Sequence, residues 1–517
     1  MKSGFIKVYY LPLYIAITLV IGIFLGKNIF SSNFSSFAEF NPKDSLYREA
    51  QNLGEVLQLV QENYVDSVDA KEFVSKSISD FLHRLDPHSA YVTASKVEKA
   101  NETLEGSFEG IGLEFIIVRD TVMAVRALEN GPSDLVGIQP GDQIVAVEKE
   151  NISGIKINTD QVVGKLRGKR GSKVKILVKR SGESKLLSFT ITRAEIPIHS
   201  VDAAYMLDSN TAYFKIGEFS RNTMDEFKSS YPYNNPKVKK VIMDLRGNGG
   251  GYLNTCTQLA DEFLKSGEMI VYTKDRLHEK REMLASKEGR FEEVKLVVLI
   301  DHESASASEI FAGAMQDNDR GIIIGTRSFG KGLVQEIFNL SDGSQLRLTV
   351  SRYHTPSGRC IQKPYKDLDY ETYAMSHYSL DTLKDSTVYY TQSKRKVYGG
   401  GGIYPDIVIE SDTLKWQQLR EVYKNDVIRE SAIRFIVSNK TLLKAISEKA
   451  FISGAVDDKL NAFSIEKLKK YNLSEVLNKE MTKEVKANVA RCLYGNTAFY
   501  SIRLLNDQCL EKAKSTK

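Results

Sequence analysis

The chain has 517 residues, 42% hydrophobic and 26% charged, which is room for several domains with ordinary globular cores. Its 71 basic and 66 acidic residues leave a formal charge of +5, and no basic patch is interleaved with aromatics, so nothing speaks for nucleic acid. The four cysteines form no CxxC pair and the seven histidines no HExxH, which argues against a metalloenzyme and a disulfide scaffold, leaving a Cys492–Cys509 bridge open only in an oxidising compartment.

Residues 8–26 carry no charge and are flanked by Lys2, Lys7 and Lys27. As a helix they would span roughly 28 Å, close to the thickness of a bilayer core. The alternative is a cleaved signal peptide, which has a shorter apolar region and a better cleavage site than FSSFAEF offers. The expectation is therefore an uncleaved, single-pass signal anchor in the cell membrane, with the chain beyond it periplasmic.

Residues 27–45 read as a tether. From 47 to about 104 apolar residues recur at helical spacing, among them Leu57, Val60, Tyr64, Phe73, Ile78, Phe81 and Leu82, with a turn at 85–89. Residues 109–196 read as short strands and turns, with one helix expected over 159–166. From 200 onward longer strands (211–216, 238–245, 294–300, 321–325, 345–351) alternate with helices (222–229, 253–265, 304–316), the pattern of an α/β layered core. Residues 364–398 are polar and read as a surface insertion, and the chain beyond 411 reads as helical.

Three segments carry chemistry. The first, DHESASASEI at 301–310, joins an apolar strand to a helix of small residues. Free backbone N–H groups and the positive end of a helix dipole meet at such a junction, a setting suited to a developing oxyanion. Taken alone, these serines read better as helix caps, with Ser304 and Glu309 as one pairing. The second, SFGKGLVQ at 328–335, sets Lys331 between glycines beside apolar neighbours. Burial there lowers a lysine toward the range of a general base, and Gln335 stands four residues on to orient the amine. The third, MDLRGNGGGY at 243–252, is a glycine loop between a buried strand and a helix. It lacks GxxxxGK[ST] and the GxGxxG spacing, so a second oxyanion donor is a better use than a phosphate site.

In this order the segments resemble the carboxyl-terminal processing proteases, also called tail-specific proteases. LDPHS with Tyr91 at 85–91, GSFEGIGLEF at 106–115, DLRGNGGG at 244–251 (with Gly249 where proline is usual), SASASE at 304–309, FGKG at 329–332, YHTPSGRCIQ at 353–362 and GGIYPD at 401–406 carry the likeness. It implies a crotonase-like α/β protease core with an inserted β-rich PDZ domain and helical N- and C-terminal regions. It divides the chain into an anchor (1–30), a tether and helical region (31–105), a PDZ domain (106–196), a core (197–410) and a helical C-terminal region (411–517). The family's spacing of 25 residues selects Ser306 as nucleophile and Lys331 as base, with Gln335 supporting the lysine. The implied oxyanion donors are the N–H of Ala307 and that of Gly250 or Gly251. In the PDZ domain, Gly110, Ile111, Gly112 and Leu113 would hold a substrate's terminal carboxylate while its tail adds as a strand. No cofactor or metal is implied; the partners are polypeptides with accessible C-termini, and a homo-oligomer is left open.

Three rival readings compete with this one. A nucleotide enzyme using 247–251 lacks a magnesium-binding carboxylate pair and a phosphate-gripping lysine. A non-enzymatic, membrane-anchored PDZ scaffold or chaperone has no need of Ser306, Lys331 and Gln335 together. A triad of Asp301, His302 and a serine puts the histidine only four residues before Ser306, where it does not easily face that hydroxyl.

Overall fold

The computed structural model describes residues 45–286, 288–366, 368, 372–373, 387–410 and 413–516. The chain separates into two compact units, Met1–Ile78 and Ser79–Lys517. In the first, helix Ser45–Asn63 and the beginning of helix Ala70–His83 turn Leu57, Val60, Phe73 and Val74 toward a shared cleft.

The centre of the second unit is a six-stranded sheet. Its order is Val201–Met206, Thr211–Ile216, Lys240–Asp244, Lys295–Ile300, Gly321–Gly325 and Ile407–Val408, antiparallel at the first pair and parallel thereafter. The strands read as nearly unbroken apolar runs because both faces are covered. Val241, Met243, Leu296 and Val298 pack under helices Leu253–Asp261 and Ala307–Asp317, with Leu259, Ile310 and Phe311. Ile242, Val297 and Leu299 point the other way, onto Leu504, Leu510 and Ala513 near the chain's end. Each such side chain, buried from water, contributes roughly 1.5–3 kcal/mol.

A second, antiparallel sheet lies beside it. Strand Gln345–His354 pairs with Leu333–Asn339 on one side and with Ala90–Val92 and Met269–Asp275 on the other. Strand Ala90–Val92 was not expected. The region read as purely helical contributes a strand to this sheet directly after the LDPHS turn.

Residues 107–197 form the β-rich module. Strands Ser107–Gly110 and Ala194–Pro197 pair at its entry and exit. Between them the order is Leu113–Val118, Thr121–Ala127, Gln143–Val147, Lys173–Lys179 and Leu187–Thr192, all antiparallel. Helix Thr159–Leu166, opened by an Asn158–Gln161 capping box, buries Val162 and Leu166 in the module's core. Leu113–Val118 is one of the two edge strands, so one row of its backbone groups is left for an added chain.

Helices Val427–Ser438, Asp457–Leu468, Glu475–Tyr494 and Asn496–Arg503 close around Phe435, Phe451, Met481 and Val485. This C-terminal bundle touches the β-rich module through Ile433, which packs on Ile116, Met123 and Val125. The module's Gly141, at φ +88°, lies so close to Val437 that a Cβ there would come within 2.4 Å of it. All four cysteines are free, so Cys492 and Cys509 form no bridge.

The membrane expectation is corrected. Among the described residues no helix is long and apolar enough to cross a bilayer. Glu475–Tyr494 has the length, at 20 residues, but carries charges throughout. Residues 8–26 lie outside the described residues. A single-pass anchor with a periplasmic catalytic part therefore has no support in the structure.

Candidate active site

The junction after strand Lys295–Ile300 is shaped by one carboxylate. Asp301 Oδ1 accepts from the N–H groups of Gly247, Glu303 and Ser304 at 2.9–3.1 Å, turning the chain and tying it to the glycine loop. That use spends Asp301 Oδ1 on the backbone of the turn and the loop. Two of the three serines are then consumed structurally. Ser304 Oγ donates to Leu245 O and Ser308 Oγ to Asn248 O, both at 2.9 Å and both fully buried. Ser306 alone stays partly accessible.

Ser306 has φ +54° and ψ −113°, a conformation that costs a side-chain-bearing residue of order 1–3 kcal/mol. It explains why the helix starts at Ala307 and not at 304 as its sequence suggested. Ser306 is the N-cap, paired with Glu309, and the Ala307 N–H is the first orphan donor of the helix, without an acceptor among the described residues.

The glycine loop lies against this junction. Asn248 O accepts from Ala305 N at 3.0 Å, and a Cβ on Gly250 (φ +111°) would stand 2.8 Å from Ser306 Cβ and 3.1 Å from Ala307 N. Only glycine permits that approach. The Gly250 N–H is already committed to Asn248 Oδ1, at 2.8 Å. The Gly251 N–H has no acceptor among the described residues, while its neighbours bond to Phe219.

Lys331 is brought to the same place by a residue that sequence reasoning had read only as a cap. Glu309 Oε2 accepts from both Ser306 N and Lys331 N, at 2.8 Å each. Its Oε1 accepts from Gly330 N at 2.7 Å and Ser328 Oγ at 2.5 Å. Burial pushes this carboxyl up to about 7 against the pull of its four donors. Tyr353, fully buried, donates from its hydroxyl toward Lys331 O and Ser306 O. The sequence pairs Glu309 with Ser304; the structure pairs it with Ser306 and extends its reach to 328–331.

The Lys331 ammonium is held below its ordinary pKa by burial, with Arg347 adding to the effect and the Glu309 and Asp86 carboxylates opposing it. Ser306 Oγ and Lys331 Nζ are not hydrogen-bonded to one another. Gln335 Nε2 donates to Thr349 Oγ1 at 3.2 Å and not to the lysine. Thr349 in turn meets Ser89, whose hydroxyl donates to Asp86 Oδ2 at 2.6 Å, so the LDPHS turn stands behind Lys331. His88 from the same turn bonds Tyr373 Oη at 2.8 Å, and burial with the nearby lysines lowers it to about 4, leaving it neutral. Replacing Asp86 by Asn removes a charge that favours the ammonium. The acid limb of kcat/KM is expected to move to lower pH, as a pH–rate series on the folded variant measures.

In the β-rich module, Gly110 ends strand Ser107–Gly110, and Gly112 takes φ +64°. Ile111 is buried, its carbonyl held by Ser133 N and Oγ, and Leu113 opens the edge strand. The Ile111 and Gly112 N–H groups have no acceptor among the described residues.

The family model of peptidase family S41 matches residues 210–372, and that of the PDZ domain matches 124–180. A carboxy-terminal-processing protease of Bartonella bacilliformis is 32% identical over 352 residues, 67% of this chain and 80% of that one. The carboxy-terminal processing protease CtpB of Bacillus subtilis is 32% identical over 310 residues, 59% of this chain and 64% of its own. A probable CtpA-like serine protease of Staphylococcus haemolyticus is 28% identical over 439 residues, 84% and 85% of the two chains. With four-fifths of the Bartonella chain's length matched at that identity, this chain belongs to peptidase family S41, the carboxy-terminal processing serine proteases with a PDZ domain.

Proposed function

We propose that Ser306 is the nucleophile and Lys331 the general base of this protease. One observation carries the reading: a single Glu309 oxygen holds the backbone N–H of both residues, so the two side chains start from one fixed point. Neutral Lys331 takes the Ser306 Oγ proton as Oγ attacks the peptide carbonyl carbon. The resulting oxyanion accepts from the N–H groups of Ala307 and Gly251, two free donors at the junction, rather than from Gly250, whose N–H is bound to Asn248. On collapse the C–N bond breaks, and the Lys331 ammonium returns its proton to the leaving amine. Water, deprotonated by the same lysine, then releases the acyl group. The gap between Oγ and Nζ closes by side-chain rotation, as catalytic hydrogen bonds tighten when substrate binds. Gln335 supports the lysine indirectly, through Thr349 and the Asp86–Ser89 turn. The paired strands at 107–110 and 194–197 support a PDZ domain over about 106–196, with the core taken as 197–410.

Tail capture belongs to the same reading. The free Ile111 and Gly112 N–H groups suit a terminal carboxylate, and the tail would lie antiparallel to Leu113–Val118, facing helix Thr159–Leu166. Each backbone bond contributes only about 1 kcal/mol net, so capture is weak, micromolar or above. Amidating the terminal carboxylate of an unstructured substrate, or appending two aspartates, is expected to raise KM several-fold with kcat unchanged. Equal kcat/KM for modified and parent substrates would refute tail capture.

A further inference from the structure

We propose that Asp507, in the C-terminal region, is a positioning residue for the oxyanion loop, acting through the Arg246 guanidinium. The inference rests on the reading of 247–251 as that loop.

Arg246 stands at the point where strand Lys240–Asp244 becomes the glycine loop. Its Nε and Nη2 bind Asp244 at 2.6–3.1 Å, and its Nη1 binds both oxygens of Asp507, at 2.9 and 3.1 Å. Asp244 is buried and shared with the Tyr213 hydroxyl at 2.8 Å. The Arg246 carbonyl is itself gripped by the Lys215 ammonium at 2.5 Å. The residue before the loop is therefore fixed at its side chain and at its backbone, and the next N–H, of Gly247, goes to Asp301. Arg246 is thus the anchor from which the backbone runs on to Gly251.

Asp507 is the component of this network that comes from outside the core sheet. It also N-caps helix Gln508–Ser515, accepting from Leu510 N at 2.8 Å. That helix lies on the sheet through Leu510 and Ala513, and its far end is held by Lys240, whose ammonium donates to Lys514 O and Thr516 O. Asp244 takes the Nε and Nη2 edge of the guanidinium, and Asp507 holds the remaining Nη1 through both of its oxygens, so the planar group is gripped by carboxylates on two sides. The C-terminal region, which had no assigned role, thus contributes to transition-state geometry.

The test uses the full chain and an internally quenched, unstructured polypeptide substrate. Asp507→Asn keeps the helix cap, because asparagine caps as well as aspartate, but loses the paired carboxylate. It is expected to lower kcat about tenfold with KM within about twofold, since loop donors act on the transition state. Asp507→Glu should recover most of the loss. Arg246→Met combined with Asp507→Asn should be no worse than Arg246→Met alone, because the two act as one unit. Lys240→Gln, which loosens the same helix at its other end, should keep kcat. Wild-type kcat in Asp507→Asn, or an equal loss in Lys240→Gln, would overturn the inference. Ser306→Ala run alongside separates the failures. If it is inactive while Asp507→Asn is fully active, only this inference falls; if it is active, the dyad reading falls as well.

Discussion

Ser306→Ala and Lys331→Ala should each lower kcat/KM by about 10³-fold or more, with the fold intact. Ser306 is accessible and its removal leaves no buried partner stranded, so stability should change little. Lys331→Ala removes a buried amine that carries a desolvation cost, and its backbone anchor on Glu309 survives the substitution. Because the two groups act in one proton transfer, the double variant should be no slower than either single one. Steady-state cleavage of an unstructured substrate, beside circular dichroism and a melting curve, checks all three statements. The scaffold reading predicts the opposite, since a protein that only binds tails loses nothing when either residue is cut.

Glu309→Gln should lower kcat about 100-fold with little change in KM, the scale expected when reacting groups move by about an ångström. The four donors around Glu309 suit an ionised carboxylate; a carboxamide turns one NH₂ toward donors. Ala in its place would strand those buried donors at about 1–3 kcal/mol each, so the glutamine variant is the cleaner test. The pH dependence follows from sign. The carboxyl sits at about 7 in the fold against an ordinary 4.5, so the folded chain holds this proton more tightly than the unfolded one. Its contribution to stability is full below about pH 4.5 and is lost as pH rises through about 7. Catalysis runs the other way, because the clamp needs the ionised form. In the wild type kcat should rise over the window in which this carboxyl's stabilisation is lost. In Glu309→Gln the difference in urea midpoint between pH 5 and pH 8 should shrink. An unchanged difference would mean that Glu309 titrates elsewhere.

The readable and unreadable parts of this protein divide by distance along the chain. The helix at 159–166 was legible to the residue, since its capping box and apolar spacing are local. The core strands were legible because burial on both faces leaves continuous apolar runs. Strands Leu333–Asn339 and Lys280–Leu284 were not, as each exposes much of its length and carries charge there. Gln335 shows a subtler limit. Its spacing of four from Lys331 suits a side-chain pair on a helix, but the chain runs into a strand, where four residues cover about 13 Å. The carboxamide is accordingly bound to Thr349. For the serines, sequence alone put capping ahead, with Ser304 and Glu309 as a pair; the cap is Ser306 instead, while Ser304 is tied to Leu245 and Ser308 to Asn248 of the glycine loop. The bonds from Glu309 to 328–331, and from Arg246 to Asp507 across 261 positions, leave no local trace. They exist only once the sheet has assembled.

Restoring an amine at position 331 tests the dyad most directly. Lys331→Cys should be inactive, and treatment with 2-bromoethylamine should convert that thiol to an aminoethyl thioether that places an amine at the end of a lysine-length side chain. The account predicts recovery of cleavage by at least about tenfold, with an acid limb at lower pH because the sulfur makes the amine less basic. Wild-type protein treated the same way should keep its activity, and Lys331→Cys carrying Ser306→Ala should gain none. Cleavage by untreated Lys331→Cys at the wild-type rate, or an aminoethylated protein with position 331 fully modified and no recovery, would contradict the assignment of Lys331 as the base.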